Sequence, residues 1–172
     1  MTEPNWLTAE QLDDWLAFVA VVELLPGALD AQLQSDAELS HYEYFLLAQL
    51  SEAPERTLRM TELAAATNAT LPRLSHVVKR LEQRGYVERI PCPSDKRATN
   101  ARLTADGWEK VVDTAPGHVA AVRRHVIDAL DPSHLRALGE ASSAILRTLD
   151  PPIGFPGRRS VEKAEGLDSP TS

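Results

Sequence analysis

The stretch Leu71-Pro72-Arg73-Leu74-Ser75-His76-Val77-Val78-Lys79-Arg80-Leu81-Glu82-Gln83-Arg84-Gly85-Tyr86-Val87-Glu88-Arg89 carries the pattern that decides the fold of this 172-residue chain. Leu74, Val77, Val78 and Leu81 recur at the three- and four-residue spacing of one helical face, so 71–84 reads as an amphipathic helix. Thr70 stands at its N-cap, Pro72 falls in the first turn where a missing N–H is tolerated, and Gly85 lies just past its end. The other face carries Pro72, Arg73, Ser75, His76, Lys79 and Arg80. Taken alone, that face is either a solvated helix surface or a set of side chains aimed at the DNA major groove. On the second reading Arg73, Ser75 and His76, near the N-terminal end, meet base edges. Lys79 and Arg80 meet phosphates.

The flanks decide between the two readings. Upstream, Thr61 is expected to cap a helix of barely two turns through Ala66, and Asn68-Ala69 turns the chain. Further upstream, Ser40-His41-Tyr42-Glu43 is a capping box that opens a helix to about Ala53, followed by a loop at 53–56 and an extended piece around Leu58. Downstream, Tyr86–Ile90 and Thr99–Leu103 read as two short strands around the turn-rich loop Pro91–Arg97. A short helix, a tight turn, a longer helix and a basic hairpin, in that order, describe a winged helix-turn-helix.

Outside this lobe the chain is helical. Thr104 caps a long helix through Trp108, Val111 and Val112, which passes an irregularity at Pro116-Gly117 and reaches Leu130; Asp131-Pro132 opens a last helix to about Leu149. The helix from Thr8 to about Gln34 is apolar nearly all round: Leu12, Trp15, Leu16, Val19 and Val22 form one stripe, and Phe18, Val21, Leu25 and Leu29 fall off it. Pro26-Gly27 is expected to bend or interrupt it. All-round apolarity implies burial on two sides, against its own lobe and against a second subunit. The fold class is therefore mainly α with a small β-hairpin wing. One domain spans 8–150, with a DNA-binding lobe at about 40–104 and dimerisation helices at about 8–34 and 105–150. From Pro151 to residue 172, Pro, Gly, Ser and charges dominate without periodicity, and this tail is expected to be disordered.

Net charge is −7, which at first sight argues against a nucleic-acid partner. The total hides an asymmetry. Residues 1–56 hold 11 acids and one base, residues 57–102 hold 9 bases and 4 acids, and residues 103–172 hold 10 acids and 8 bases. The excess positive charge is confined to the central segment, where a polyanion would dock if the patch is more than a solvated face. The acidic N-terminal part is then expected on the side away from DNA. No unbroken apolar run approaches the roughly 18 residues of a membrane span, and the N-terminus lacks a secretory pattern. With a single cysteine, Cys92, the expectation is a soluble cytoplasmic protein with no membrane partner.

The pieces Met60-Thr61-Glu62-Leu63-Ala64, Leu71 to Arg89, Asp95-Lys96-Arg97 and Leu103-Thr104 together resemble the MarR (multiple antibiotic resistance regulator) family over about residues 8–150. The resemblance lies in the recognition helix, its LExRGxVxR exit and the wing pattern DxR…LT. It implies that Arg97 enters the minor groove, that Asp95 orients it, and that the terminal helices intertwine into a homodimer. A guanidinium suits that groove because it is planar, always charged and weakly hydrated. Thr70, Pro72, Arg73, Ser75, His76, Lys79, Arg80, Asp95, Lys96 and Arg97 are thus the candidate DNA-binding residues.

The family likeness further implies a repressor released by a small aromatic or anionic effector. Trp15, His41 and Tyr44 are the candidate lining, although aromatic residues at helical spacing also simply fill cores. Cys92, in the expected wing near Arg89 and Lys96, reads as an incidental exposed loop cysteine. No HExxH, paired CxxC, GxSxG or GxxxxGKS motif accompanies His118, His125 or His134, so neither an enzyme, a metal site nor a cofactor is expected. The remaining alternative is a winged helix that contacts an acidic protein without specific DNA binding.

Overall fold

The computed structural model describes residues 4–93, 95–152 and 154–156. It contains six α-helices and a three-stranded antiparallel sheet, the mainly helical winged architecture expected from sequence.

Helix α1 spans Ala9–Ala37. Thr8 opens it by accepting the Gln11 N–H at 3.2 Å, while Gln11 Oε1 accepts the Thr8 N–H at 2.9 Å. Of the bend or interruption expected at Pro26-Gly27, interruption does not occur: the helix runs through Pro26. The proline removes the N–H that would bond Val22, but Val22 is exposed, so water can serve that carbonyl. By length and composition α1 is also apolar enough to cross a membrane, which a count of unbroken apolar runs had missed. Its far end is nevertheless committed to the protein core through Leu29, Leu33 and Ala37. The nearer part leaves Leu12, Trp15, Leu16, Val21, Val22 and Leu24 exposed.

Helix α2, His41–Glu52, begins with the anticipated capping box: Ser40 Oγ accepts the Glu43 N–H at 3.1 Å and Glu43 Oε2 accepts the Ser40 N–H at 2.9 Å. After a 3₁₀ turn, β1 (Thr57–Arg59) leads into α3 (Met60–Ala66). The cap of α3 is Arg59, not Thr61, and Glu62 reaches back to accept the Arg59 N–H at 3.3 Å. Helix α4 spans Leu71–Gln83 and buries Leu74, Val77, Val78 and Leu81, the apolar face read from sequence. Thr70 occupies its N-cap position but makes no side-chain capping bond.

The wing is longer and tighter than expected. Strand β2 covers Val87–Cys92 and β3 covers Asp95–Leu103, with Cys92 opposite Asp95 and a register irregularity at Pro91/Cys92. Cys92 is accordingly 5% exposed, not an exposed loop residue, because the strand carries it to the end of the ladder. The third strand is β1, which pairs with β3 so that Leu58 and Arg89 both stand opposite Ala101.

Thr104 joins the wing to α5 (Ala105–Val122): its hydroxyl accepts the Gly107 N–H at 3.0 Å and donates to the Gly85 carbonyl at 2.6 Å. Gly107 is required there, since a Cβ would sit 2.1 Å from the Tyr86 carbonyl oxygen. The helix runs through Pro116 without a break, and its irregularity falls later, as a π-helical turn at Arg123–Ile127. Asp131 then caps α6 (Pro132–Leu149) by accepting the N–H groups of Ser133 and His134 at 2.8 and 3.0 Å. No residue of α6 is buried.

The core gathers Leu33, Leu46, Leu47, Leu50, Leu63, Leu74, Val78 and Leu81, so α1, α2, α3 and α4 share one apolar centre. Disorder had been expected from Pro151 onward, yet Pro151 is buried, and the Phe155 N–H donates to the Pro152 carbonyl at 3.0 Å. The expectation for 157–172 lies outside the described residues.

Candidate nucleic-acid interface and effector cleft

Burial of Leu74, Val77, Val78 and Leu81 turns Pro72, Arg73, His76, Lys79 and Arg80 outward on α4. Thr70 is exposed at the helix start. Arg73 is held in place: its guanidinium lies 4.8 Å from the Tyr42 ring centre. The Tyr42 hydroxyl in turn meets the Thr67 hydroxyl at 3.0 Å, and Thr67 donates to the Leu63 carbonyl at 2.7 Å. Arg80 is engaged differently. Its Nη2 bonds Glu43 Oε1 at 3.0 Å, and Glu43 is a buried carboxylate already occupied by the Ser40 cap. Ser75 is half-buried and faces the wing: its carbonyl and hydroxyl both accept from Arg89.

On the wing, Asp95 and Arg97 lie at the start of β3 with Lys96 between them. Asp95 Oδ1 accepts the backbone N–H of Arg97 at 3.0 Å, while Asp95 Oδ2 faces Arg59 Nη1 at 4.0 Å. The hydrogen bond between Asp95 and Arg97 is therefore made through the Arg97 backbone. Arg97 itself is exposed and rims a cleft of about 340 Å³ between the wing, α3 and α4, lined also by Arg59, Thr61, Ser75 and Arg89. Arg59, Thr61 and Arg89 were not among the candidate DNA-binding residues read from sequence. A basic residue on a strand carries no signal of which element it faces.

Two of the three residues proposed to line an effector site come together. Tyr44 and His41, both on α2, lie 4.7 and 6.0 Å from the His118 ring of α5. Asp30 of α1 accepts the His41 backbone N–H at 2.8 Å. Burial lowers the pKa of His41 against the opposing pull of Asp30, and burial together with His41 lowers that of His118. Both rings are thus biased to the neutral form. Trp15 does not join them. It lies about 22 Å along α1 from Asp30, at 1.5 Å per residue, and packs on Phe18 at 6.0 Å. Sequence did not place His118 beside them, because nothing local distinguishes it from the histidines at 125 and 134.

An exposed cationic helix after a tight turn, beside a three-stranded sheet with a basic hairpin, defines a winged helix-turn-helix protein. The sequence model of the MarR family matches residues 39–99. The structure superposes on Sco3205 of Streptomyces coelicolor, a MarR family transcriptional regulator solved in complex with DNA, with a TM-score of 0.81 and 49% identity, covering 84% of this chain and 94% of that one. The HTH-type transcriptional regulator PecS of Dickeya dadantii is 32% identical over 123 residues, 67% of this chain and 70% of its own. The HTH-type transcriptional repressor YetL of Bacillus subtilis is 29% identical over 105 residues, 59% of this chain and 63% of its own. The match to another Bacillus subtilis regulator of this type spans 57% of that protein. The chain belongs to the MarR family of transcriptional regulators, which are not enzymes.

Proposed function

We propose that this protein is a homodimeric repressor that binds pseudo-palindromic double-stranded DNA in the cytoplasm and is released by a small aromatic effector. The observation that carries DNA binding is the shared exposure of Arg73, His76 and Lys79 on α4 and of Arg97 on the wing. In the proposed complex Arg73 and His76 read base edges, Thr70, Pro72 and Lys79 approach the backbone, and Arg97 reaches toward the minor groove, with Lys96 next to it in sequence a further DNA-binding candidate. Arg80 and Ser75 support α4 through Glu43 and Arg89. Likeness to a regulator solved with DNA and to a named repressor supports the same reading.

A second copy of the chain would cover the apolar face of α1 and the unburied α6, which a soluble monomer would leave in water. Two copies of α4 would then meet successive major-groove faces about 10 base pairs apart. The effector reading draws on Tyr44, His41 and His118. Their rings suit an aromatic molecule, and the nearby Asp30 weighs against a free anion. The dimerisation role of 8–34 and 105–150 and the lobe at 40–104 are part of this proposal.

The test is selection of bound duplexes from a random pool, followed by titration at several salt concentrations. A dyad-symmetric site bound at nanomolar protein by two chains supports the proposal. Retention no better than nonspecific binding, about 10⁻⁴ to 10⁻⁶ M, would overturn it in favour of a protein-contacting winged helix.

A further inference from the structure

We propose that Arg89 is a positioning residue that locks the wing to the recognition helix, so that DNA is read by both elements at one fixed separation. The inference rests on the DNA-reading proposal above, but its structural half is testable without DNA.

Arg89 lies on β2, opposite the buried Ala101 at the centre of the sheet. From there it holds α4 at two points. Its backbone N–H donates to Glu82 Oε1 at 3.3 Å, and its Nε faces Glu82 Oε2 at 3.8 Å. Its Nη2 donates to the Ser75 carbonyl at 2.7 Å and lies 3.3 Å from Ser75 Oγ. Ser75 and Glu82 are seven residues apart, two turns or about 10.5 Å along one side of α4. One arginine therefore spans the helix lengthwise and ties both points to the strand that leads into the wing.

Its Nη2 is directed onto α4. The Arg89 side chain is 31% exposed and lies in the cleft whose rim carries Arg97. Ser75 takes Nη2, while Nε is buried without a hydrogen-bond partner and has the Glu82 carboxylate 3.8 Å away, so both the directed bond and the nearby counter-charge belong to α4. A planar fork can hold two such points at once, whereas a lysine ammonium is a single flexible donor centre. Arg97 extends from the same sheet, so the distance between the base edges met by Arg73 and the groove met by Arg97 is set through Arg89.

Arg89→Ala and Arg89→Lys are compared with the wild-type full-length chain. Amide exchange on the free protein is expected to be about tenfold faster in β2 and β3 of both variants, and unchanged in α1 and α5. On DNA, wild type is expected to lose affinity about tenfold when one base pair is inserted between the half-site core and its flank. Both variants should lose less than threefold from that insertion, while keeping the wild-type core preference and salt slope, because no phosphate contact is removed. A salt slope reduced by about one in Arg89→Ala and restored in Arg89→Lys would make Arg89 a phosphate ligand and overturn the proposal. Unchanged wing exchange in Arg89→Ala would overturn it too, whether or not duplex binding is seen. If wild type bound no duplex while wing exchange rose in both variants, the brace would stand and the role in DNA reading would fall with the function proposed above.

Discussion

Arg84, the C-cap residue just past helix α4, donates from Nη1 to the Glu38 carbonyl at 2.9 Å and so closes the end of α1. Helix α1 has no basic residue in its own last turn, and the cationic partner for its negative end arrives from another element. This bond connects the long apolar helix directly to α4. Arg84→Ala is expected to destabilise the protein by about 0.5–1 kcal/mol, a modest figure because the bond is solvent-exposed. Denaturant midpoints check it, and Arg84→Lys should recover part of the loss.

Lys79 and Arg80 are neighbours in sequence with different duties. Arg80→Ala leaves the buried Glu43 carboxylate without its cation and should cost about 1–3 kcal/mol of stability. Lys79→Ala should leave stability within about 0.5 kcal/mol but lower the salt slope of DNA binding by about one. Thermal unfolding and salt-dependent titration of both variants distinguish the two roles. Equal salt-slope losses would show that Arg80 also meets phosphate.

Acid should weaken the fold through His41 and His118. Burial lowers both pKa values below the ordinary value of about 6.5, so between that value and their folded-state values the unfolded chain binds protons that the native chain does not. Stability is then complete above about pH 6.5 and falls as pH decreases through that window. His118→Phe keeps a ring against Tyr44 and should flatten the decline between pH 7 and pH 5.5, measured by urea midpoints. A slope identical to wild type would assign the acid sensitivity elsewhere.

The two reading elements should fail differently. Arg73→Ala is expected to cost about 1–3 kcal/mol on the cognate site and to erase preference at one position per half-site. Arg97→Ala should instead reduce the advantage of A·T-rich flanks. Asp95→Ala should resemble Arg97→Ala more weakly, whereas Asp95→Asn, which retains an acceptor for the Arg97 N–H, should lie close to wild type. Titrations against operators varied separately at core and flank make the comparison. If Arg97→Ala binds every flank variant like wild type, the wing is not a reader.

Local order was legible in the residues themselves. The spacing of Leu74, Val77, Val78 and Leu81 is enough to define the buried side of α4, because helical geometry repeats every 3.6 residues. The Ser40–Glu43 box and the Asp131 cap are likewise readable, since each donor and acceptor lie within a few residues of one another. The two strands of the wing were readable as a hairpin, and the family pattern marked Asp95 and Arg97 on it. The prolines were less informative: α1 runs through Pro26 uninterrupted, and the irregularity expected at Pro116-Gly117 falls later, at Arg123–Ile127.

Pairings between distant residues required the tertiary structure. Glu43 with Arg80, Glu38 with Arg84, Arg59 with Asp95, Ser75 with Arg89 and Tyr44 with His118 join residues 14 to 74 positions apart, and no local pattern announces any of them. The same is true of two placements that no local pattern gave: Trp15 stands about half the length of α1 from Asp30, which bonds His41, and Cys92 is buried at the end of a strand that continues past Ile90. Periodicity and capping are short-range and can be read along the chain. Which cation meets DNA and which braces a helix depends on long side chains meeting across elements, and only the packing of those elements determines that.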